Sequence, residues 1–420
     1  MDCFIPLQNK KAFVNFPYFI ASRLSSRALS AYARPLIRIA ITGVALSIAV
    51  MIISVAVVRG FQQEIQSKVF GFSGHIRLSH FDLNDSFESS PLAMHQAFYP
   101  DYAWLKGVSH IQPYATKAGI LKTDEYIEGV VLKGVYLDYD WSRFSGKLIR
   151  GDFPVWNEKR GDEVLISERL ALRLALDTGQ SLRMYFLAGS EGRMRGRRFE
   201  ICGIYRSGME EFDRTYILGD IRHIQRLNLW DTTQVGGFEV FVENTKNIQG
   251  LASTLYENTA SGIDVITASE IYPQIFDWLA LQDMNVIVIL ILMIFVSVIT
   301  MISALLIIML ERMNLIGVLK ALGASNAIVR HIFLQQAVRI TLTGLLIGNA
   351  IGLLLLFLQK SFGWIRLSEE SYYLSRVPVS FELWPILLLN AGALAMCIAA
   401  MLLPTLIVAK ISAVKVISMR

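Results

Sequence analysis

Charge is missing where a soluble domain would need it. From Met284 to Leu310 there is no lysine, arginine or glutamate. At ~1.5 Å per residue, a helix over that run would extend ~40 Å, enough to cross a bilayer with tilt. Ile340 to Leu358 and Trp384 to Ala409 are likewise uncharged, and Leu36 to Val58 carries only Arg38 near its start. Buried core helices rarely run so far without a charge. Hydrophobic residues make up 53% of the chain, which excludes an ordinary soluble globular protein.

Cysteine is almost absent. Cys3, Cys202 and Cys397 are expected in different compartments, so no intrachain disulfide is expected, and their spacing excludes a cysteine metal site. Cys3 lacks the apolar run that would precede a lipidation site. No G-x-x-x-x-G-K-[ST] occurs; the only Gly-Lys pair, Gly146-Lys147, is followed by Leu148. H-E-x-x-H and G-x-S-x-G are missing, and the six histidines show no ligand spacing. Glu210, Glu211 and Asp213 read as an exposed acidic loop rather than paired catalytic carboxylates. These absences leave nothing to support an enzyme, a cofactor or a metal site in the chain itself.

What is present is a pattern of flanking charge. Lys10, Lys11, Arg23, Arg27 and Arg34 precede the first run, Arg38 lies near its start, and Lys410, Lys415 and Arg420 follow the last. The segment from Glu311 to Arg339 is also basic. Between the last two runs, Lys360, Arg366 and Arg376 are balanced by Glu369, Glu370 and Glu382. Positive residues mark the cytoplasmic side. The expected order is therefore a cytoplasmic segment 1–35, transmembrane helix 36–58, an outer domain 59–283 and transmembrane helix 284–310. A cytoplasmic segment 311–339, transmembrane helix 340–358, an outer loop 359–383, transmembrane helix 384–409 and a cytoplasmic tail 410–420 complete it. The first span is too long and too far from the N-terminus for a cleavable signal, and reads as a signal anchor. This topology accounts for the net charge of +5, so nucleic acid is not an expected partner.

The outer domain is long enough to fold by itself and reads as α+β. Segments 75–80, 128–137, 163–167, 181–187, 199–205, 237–243 and 263–267 have the β-branched and aromatic content of strands. Ser167 to Leu176, Leu218 to Leu229 and Ile248 to Asn258 read as helices, and Arg193 to Arg198 as a solvated hairpin tip. Apolar periodicity continues past the first span through Phe61, Ile65, Val69 and Phe72. It appears before the second span in Ile271, Ile275, Trp278 and Leu279. Both spans are thus expected to extend outward as an amphipathic stalk.

The segment from Glu311 to Arg339 is too apolar for a solvated loop. Leu315, Val318, Leu319 and Leu322 recur at helical spacing, Gly323 is placed to stop that helix, and Ser325 to cap the next. An apolar ridge on Met313 to Leu322 suits a groove on a partner. In the third span Gly344, Gly348 and Gly352 form a doubled G-x-x-x-G, and Ala391, Ala395 and Ala399 repeat the rhythm in the fourth. Asn349 and Asn390 can hydrogen-bond between helices. Four spans make a poor pore alone, so a dimer is expected, with tight packing inside one monomer as the alternative use of the small residues. No acidic or basic residue sits mid-span, which argues against a proton- or ion-coupled transporter.

The order of one span, a large outer domain and three further spans resembles the FtsX/MacB-type permeases of ABC transporters, over nearly the whole chain. Glu311-Arg312, Ile316-Gly317, Lys320-Ala321 and Gly323-Ala324-Ser325, continued by Ile328 and Phe333, are similar to that family's E-R-x-x-E-I-G-x-x-[KR]-A-x-G-A-[ST] pattern. Leu315 stands where the pattern has Glu. Pro404, Ala409-Lys410 and Val414-Lys415-Val416-Ile417 resemble the family's C-terminal pattern, with Ala413 replacing its Pro. Tyr18-Phe19-Ile20-Ala21 with Arg23, and Gly60-Phe61 with Glu64, Ile65 and Gly71, resemble the lipoprotein-releasing members.

The resemblance implies an inner-membrane complex with a separate ABC ATPase subunit and a second permease subunit, identical or paralogous. Such a complex would take membrane lipoproteins as substrate and pass them to a periplasmic lipoprotein carrier. Glu311, Arg312, Leu315, Ile316, Gly317, Leu319, Lys320, Gly323 and Ala324 would couple to the ATPase. Val55, Val58, Phe61, Met284 and Val288 would line the acyl-chain path. The alternatives are MacB-like export of peptides or drugs, FtsX-like regulation of periplasmic cell-wall hydrolases, and a receptor with no ATPase.

Overall fold

In a computed structural model of the chain, residues 33–82, 87–123, 126–157, 159–188, 193–368 and 372–409 are described. The N-terminal motif around Tyr18, the residues Cys3, Lys10, Lys11, Arg23 and Arg27, the pair Glu369 and Glu370, and the tail from Lys410 lie outside them. Ten helices occur among the described residues: α1 (Ala33–Ser73), α2 (Glu168–Leu174), α3 (Glu210–Thr215), α4 (Arg222–Asn228), α5 (Ile248–Asn258), α6 (Ala268–Ile271), α7 (Pro273–Glu311), α8 (Met313–Ala321), α9 (Asn326–Phe362) and α10 (Leu383–Ala409). The strands are β1 (Ile76–His80), β2 (Leu92–Ala93), β3 (Val108–Lys122), β4 (Ile127–Val135), β5 (Leu148–Gly151), β6 (Glu163–Ser167), β7 (Ser181–Ala188), β8 (Arg193–Tyr205), β9 (Tyr216–Asp220), β10 (Gln234–Val235), β11 (Gly237–Val242) and β12 (Ile263–Thr267).

The chain divides into two compact units. One contains residues up to Phe61, Ala280–Ile365 and Val377 onward; the other contains Gln62–Leu279 with Arg366–Arg376. In the helical unit, α1, α7, α9 and α10 are long and apolar enough to cross a membrane. Their shared core holds Val44, Ile48 and Met51 of α1, Met301 and Leu305 of α7, Phe333 and Ala337 of α9, and Ala393 and Met401 of α10. The helices do not respect the boundaries expected from hydropathy. Helix α9 runs unbroken from Asn326 through Phe362, so nothing marks Arg339 as the end of a loop. Only Leu322 to Ser325 interrupts the helix between α8 and α9.

The second unit is built on a ten-stranded mixed sheet in the order β12-β1-β11-β3-β4-β9-β6-β8-β5, with β7 bridging β3 and β8. The path from β3 through β4, β9, β6, β8 and β7 returns to β3, so these strands close a ring. Leu132, Val164, Ile166, Met184, Phe186, Ile201 and Ile217 belong to the core they build. All seven strand segments expected from composition are present, and Arg193–Arg198, expected at a solvated hairpin tip, lie within strand β8 paired to β7. Two expectations fail. Leu218 begins no helix: Tyr216–Asp220 is a buried strand parallel to β4, and helix starts only at Arg222. Glu210, Glu211 and Asp213 are helical, and Asp213 is buried, its carboxylate accepting from the Ser207 N–H at 2.8 Å.

Helix α1 continues to Ser73, and Ile65, Val69 and Phe72 are buried along it. Phe72 stacks on Phe212 with ring centroids 4.4 Å apart. Lys133 Nζ, 3% exposed, donates to the Phe72 carbonyl and to Glu239 Oε1, each at 2.5 Å. Burial pushes the Lys133 ammonium below its ordinary range, and the carboxylate and carbonyl compensate that desolvation. On the other side, Ile271 lies on the separate short helix α6, and α7 starts at Pro273. Ile275 and Leu279 are buried, and the Leu279 carbonyl accepts from Gln62 Nε2 at 3.0 Å.

Candidate functional site

The motif residues Glu311, Arg312, Leu315, Ile316, Gly317, Leu319, Lys320, Gly323 and Ala324 gather on α8 and the turn after it. Gly323 has φ +89°, a conformation that costs other residues strain. The Ala324 N–H closes back on the Leu319 carbonyl at 2.9 Å. Ser325 Oγ accepts the Ile328 N–H and caps α9. A helix, a glycine stop and a serine cap thus form a rigid hairpin rather than a loop.

The ridge on that hairpin differs from the one expected. Leu319 and Ile316 are 8% and 2% exposed, facing Val329, Ile332 and Phe333 of α9. Val318 and Leu322 are 55% and 79% exposed. The i, i+3, i+4, i+7 set straddles two faces: Leu319 holds the hairpin together, and Val318 with Leu322 is what a partner could touch. Leu315 is half-buried beside Leu319, Ala324, Ile328 and Ile332, an apolar setting that suits leucine where the related pattern has Glu.

A second feature is a groove of about 570 Å³ lined by α1, α7 and α10. Helix α1 contributes Met51, Val55, Val58 and Arg59, and α7 contributes Asp283, Val286, Ile287, Leu290 and Ile294. Trp384, Pro385, Leu388, Leu389, Gly392 and Ala393 come from α10. At its rim Arg59 pairs with Glu382 at 2.5 Å. Val55 and Val58, expected along an acyl-chain path, line this groove. Met284 and Val288 do not: they are 60% and 52% exposed and sit on another face of α7. Phe61 does not line the groove. The contribution of α10 was missed. Its sequence signal was Pro385 and Gly392, two poor helix formers in an apolar helix; a side chain at Gly392 would meet nothing within 4 Å.

The glycine stripe of α9 packs inside the monomer. A Cβ at Gly344 would come within 2.7 Å of the Val44 side chain, and one at Gly348 within 2.6 Å of the Ala45 carbonyl. Gly352 faces Ala49. The close approach is thus to α1 of the same chain. Asn349 and Asn390 exchange two hydrogen bonds, Asn349 Nδ2 to Asn390 Oδ1 at 2.6 Å and Asn390 Nδ2 to Asn349 Oδ1 at 2.9 Å, joining α9 to α10. Ala391, Ala395 and Ala399 are exposed, whereas Ala393, Cys397 and Met401 make the buried stripe of α10.

Apolar helices joined by glycine and amide contacts, and a large sheet domain inserted between the first and second of them, define an integral membrane protein of the permease type. Family models described as MacB-like periplasmic core domain and FtsX-like permease C-terminal match residues 39–269 and 287–413. The chain belongs to the FtsX/MacB-type permease family. Among curated relatives, the lipoprotein-releasing system transmembrane protein LolC of Neisseria meningitidis is 22% identical over 87% of this chain and 90% of its own length. The lipoprotein-releasing system transmembrane protein LolE of Haemophilus influenzae is 22% identical over 96% of this chain and 100% of its own. The periplasmic region of MacB from Actinobacillus actinomycetemcomitans aligns in structure with 12% identity and a TM-score of 0.33, covering 48% of this chain and 91% of that one.

Proposed function

We propose that this chain is the permease subunit of an ATP-driven ABC complex that releases lipoproteins from the inner membrane. The observation that carries this reading is near full-length similarity to relatives named as lipoprotein-releasing transmembrane proteins. In this reading α1, α7, α9 and α10 cross the membrane, with both termini and the α8 hairpin in the cytoplasm. The sheet domain stands in the periplasm. The chain offers no nucleotide-binding motif, so ATP is hydrolysed by a separate ABC ATPase whose groove receives the ridge of Val318 and Leu322. Closure of that ATPase moves the hairpin as a rigid body. A second permease copy, identical or paralogous, completes the complex, and a periplasmic carrier receives the cargo.

The groove lined by Val55, Val58, Ile287, Leu290 and Leu389 is the place for acyl chains. Its apolar wall favours them at roughly 25 cal/mol per Å² of surface removed from water, and Arg59 and Glu382 stand at headgroup level. Depletion of the protein is expected to strand lipoproteins in the inner membrane, as read by fractionation and labelling of acylated proteins. Normal outer-membrane lipoproteins after depletion would overturn the reading. Accumulation of exported peptides or drugs inside the cell would favour a MacB-like exporter instead.

A further inference from the structure

Within the sheet unit, a cavity of about 270 Å³ is lined by Gln66 and Phe70 of α1, His75, Thr245 and Lys246 on the turn before α5, Ile248 and Gln249 of α5, residues 267–269 before and within α6, and Phe276 of α7. No aspartate or glutamate lines it, while Lys246 does. The turn from Thr245 leads directly into α5, whose N-terminal end carries partial positive charge. The aromatic wall is formed by Phe70 and Phe276, with centroids 5.8 Å apart.

His75 supplies the independent observation. It is 8% exposed and stacks on Phe70 at 4.3 Å. Its Nδ1 accepts the Val242 N–H at 3.3 Å, which leaves the proton on Nε2. Among the described residues none accepts from Nε2, and His75 lines the cavity. The ring is buried while its Nε2 donor opens on the cavity, where an acceptor can reach it. Burial and the charge of Arg143 also hold this histidine neutral, at about 4, so at neutral pH it acts as a hydrogen-bond donor and not as a cation.

We propose that this cavity binds a small carboxylate carrying an apolar, preferably aromatic, body. The carboxylate accepts from His75 Nε2 and pairs with Lys246 on the turn before α5, and the body lies against Phe70 and Phe276. Because those two rings belong to α1 and α7, the occupied site fixes the spacing of the two stalk helices.

The test uses the full chain in nanodiscs, with benzoate as probe, and benzamide and inorganic phosphate as controls. Benzoate is expected to raise the thermal midpoint in a concentration-dependent way, as a ligand specific to the folded state must. Benzamide and phosphate are expected to leave the midpoint unchanged. Lys246→Gln, a change on an exposed side chain, should weaken benzoate binding about tenfold, the scale of one charge-assisted hydrogen bond. His75→Phe, which keeps the stacking and removes the donor, should do the same, and saturation-transfer NMR reads both affinities. Equal response to benzoate and benzamide would overturn the carboxylate, and a response to phosphate alone would overturn the apolar body. If Lys246→Gln leaves benzoate binding intact, the site is not the one described.

Discussion

Single side chains in this protein do work that their type alone would not announce. Lys133 would ordinarily be a surface residue, yet it is buried against Glu239 and the last turn of α1. His75 is held to about 4 by burial and by Arg143, below its ordinary value of about 6.5. With the folded value depressed, its stabilising effect is complete above ~6.5 and lost as pH falls toward 4, up to ~3 kcal/mol. Circular-dichroism melts should show the midpoint dropping across that window, with a smaller drop in His75→Phe. In the helical unit, Asn349→Leu leaves the Asn390 amide without its cross-helix partner. The expected loss is about 1 kcal/mol, the scale of interhelical hydrogen bonds in membranes. The double change with Asn390→Leu should recover much of it, and a double-mutant cycle of unfolding in detergent measures the coupling.

At the scale of elements, the α8 hairpin separates residues that hold it together from residues that present it. Val318→Asp is expected to abolish co-purification with the ABC ATPase while leaving thermal stability and membrane insertion unchanged. Leu319→Asp places a charge between α8 and α9 and should lower stability before it affects any partner. If Val318→Asp binds the ATPase normally, the exposed ridge is not the contact. Helical periodicity showed that α8 exists and where it stops, because Gly323 and Ser325 have one compatible geometry each. It could not say which apolar face turns inward, since that depends on α9. The same limit explains the missed strand β3. Gln112, Pro113 and Lys117 break its apolar pattern, yet Gln112 and Lys117 are buried and bonded to Glu239 and Glu88, partners distant in sequence. Leu218–Asp220, the end of strand β9, reads as helix because its apolar run continues into α4 without a strong breaker. The glycines and asparagines of the spans were legible as packing residues, but not whether their partner was the same chain.

At the scale of the whole molecule, the family match gives a permease, and the proposed function divides the labour, with ATP hydrolysis in a separate subunit. The purified chain is expected to show no ATP hydrolysis, with activity appearing only when the ATPase is co-expressed. Hydrolysis that survives removal of every other subunit would refute that division. Helix α9 carries a further consequence. Its N-terminal end is fixed by the Ser325 cap, and its middle is fixed twice, by Gly348 against Ala45 and by Asn349 against Asn390. One residue inserted between Ser325 and Gly344 would rotate everything beyond it by about 100°, swinging the glycines off α1 and the asparagine away from its mate. The distance from cap to contact is therefore a count of residues and not merely a length. This stretch should tolerate many substitutions and almost no insertion or deletion, so that its register, more than its composition, is what the fold preserves.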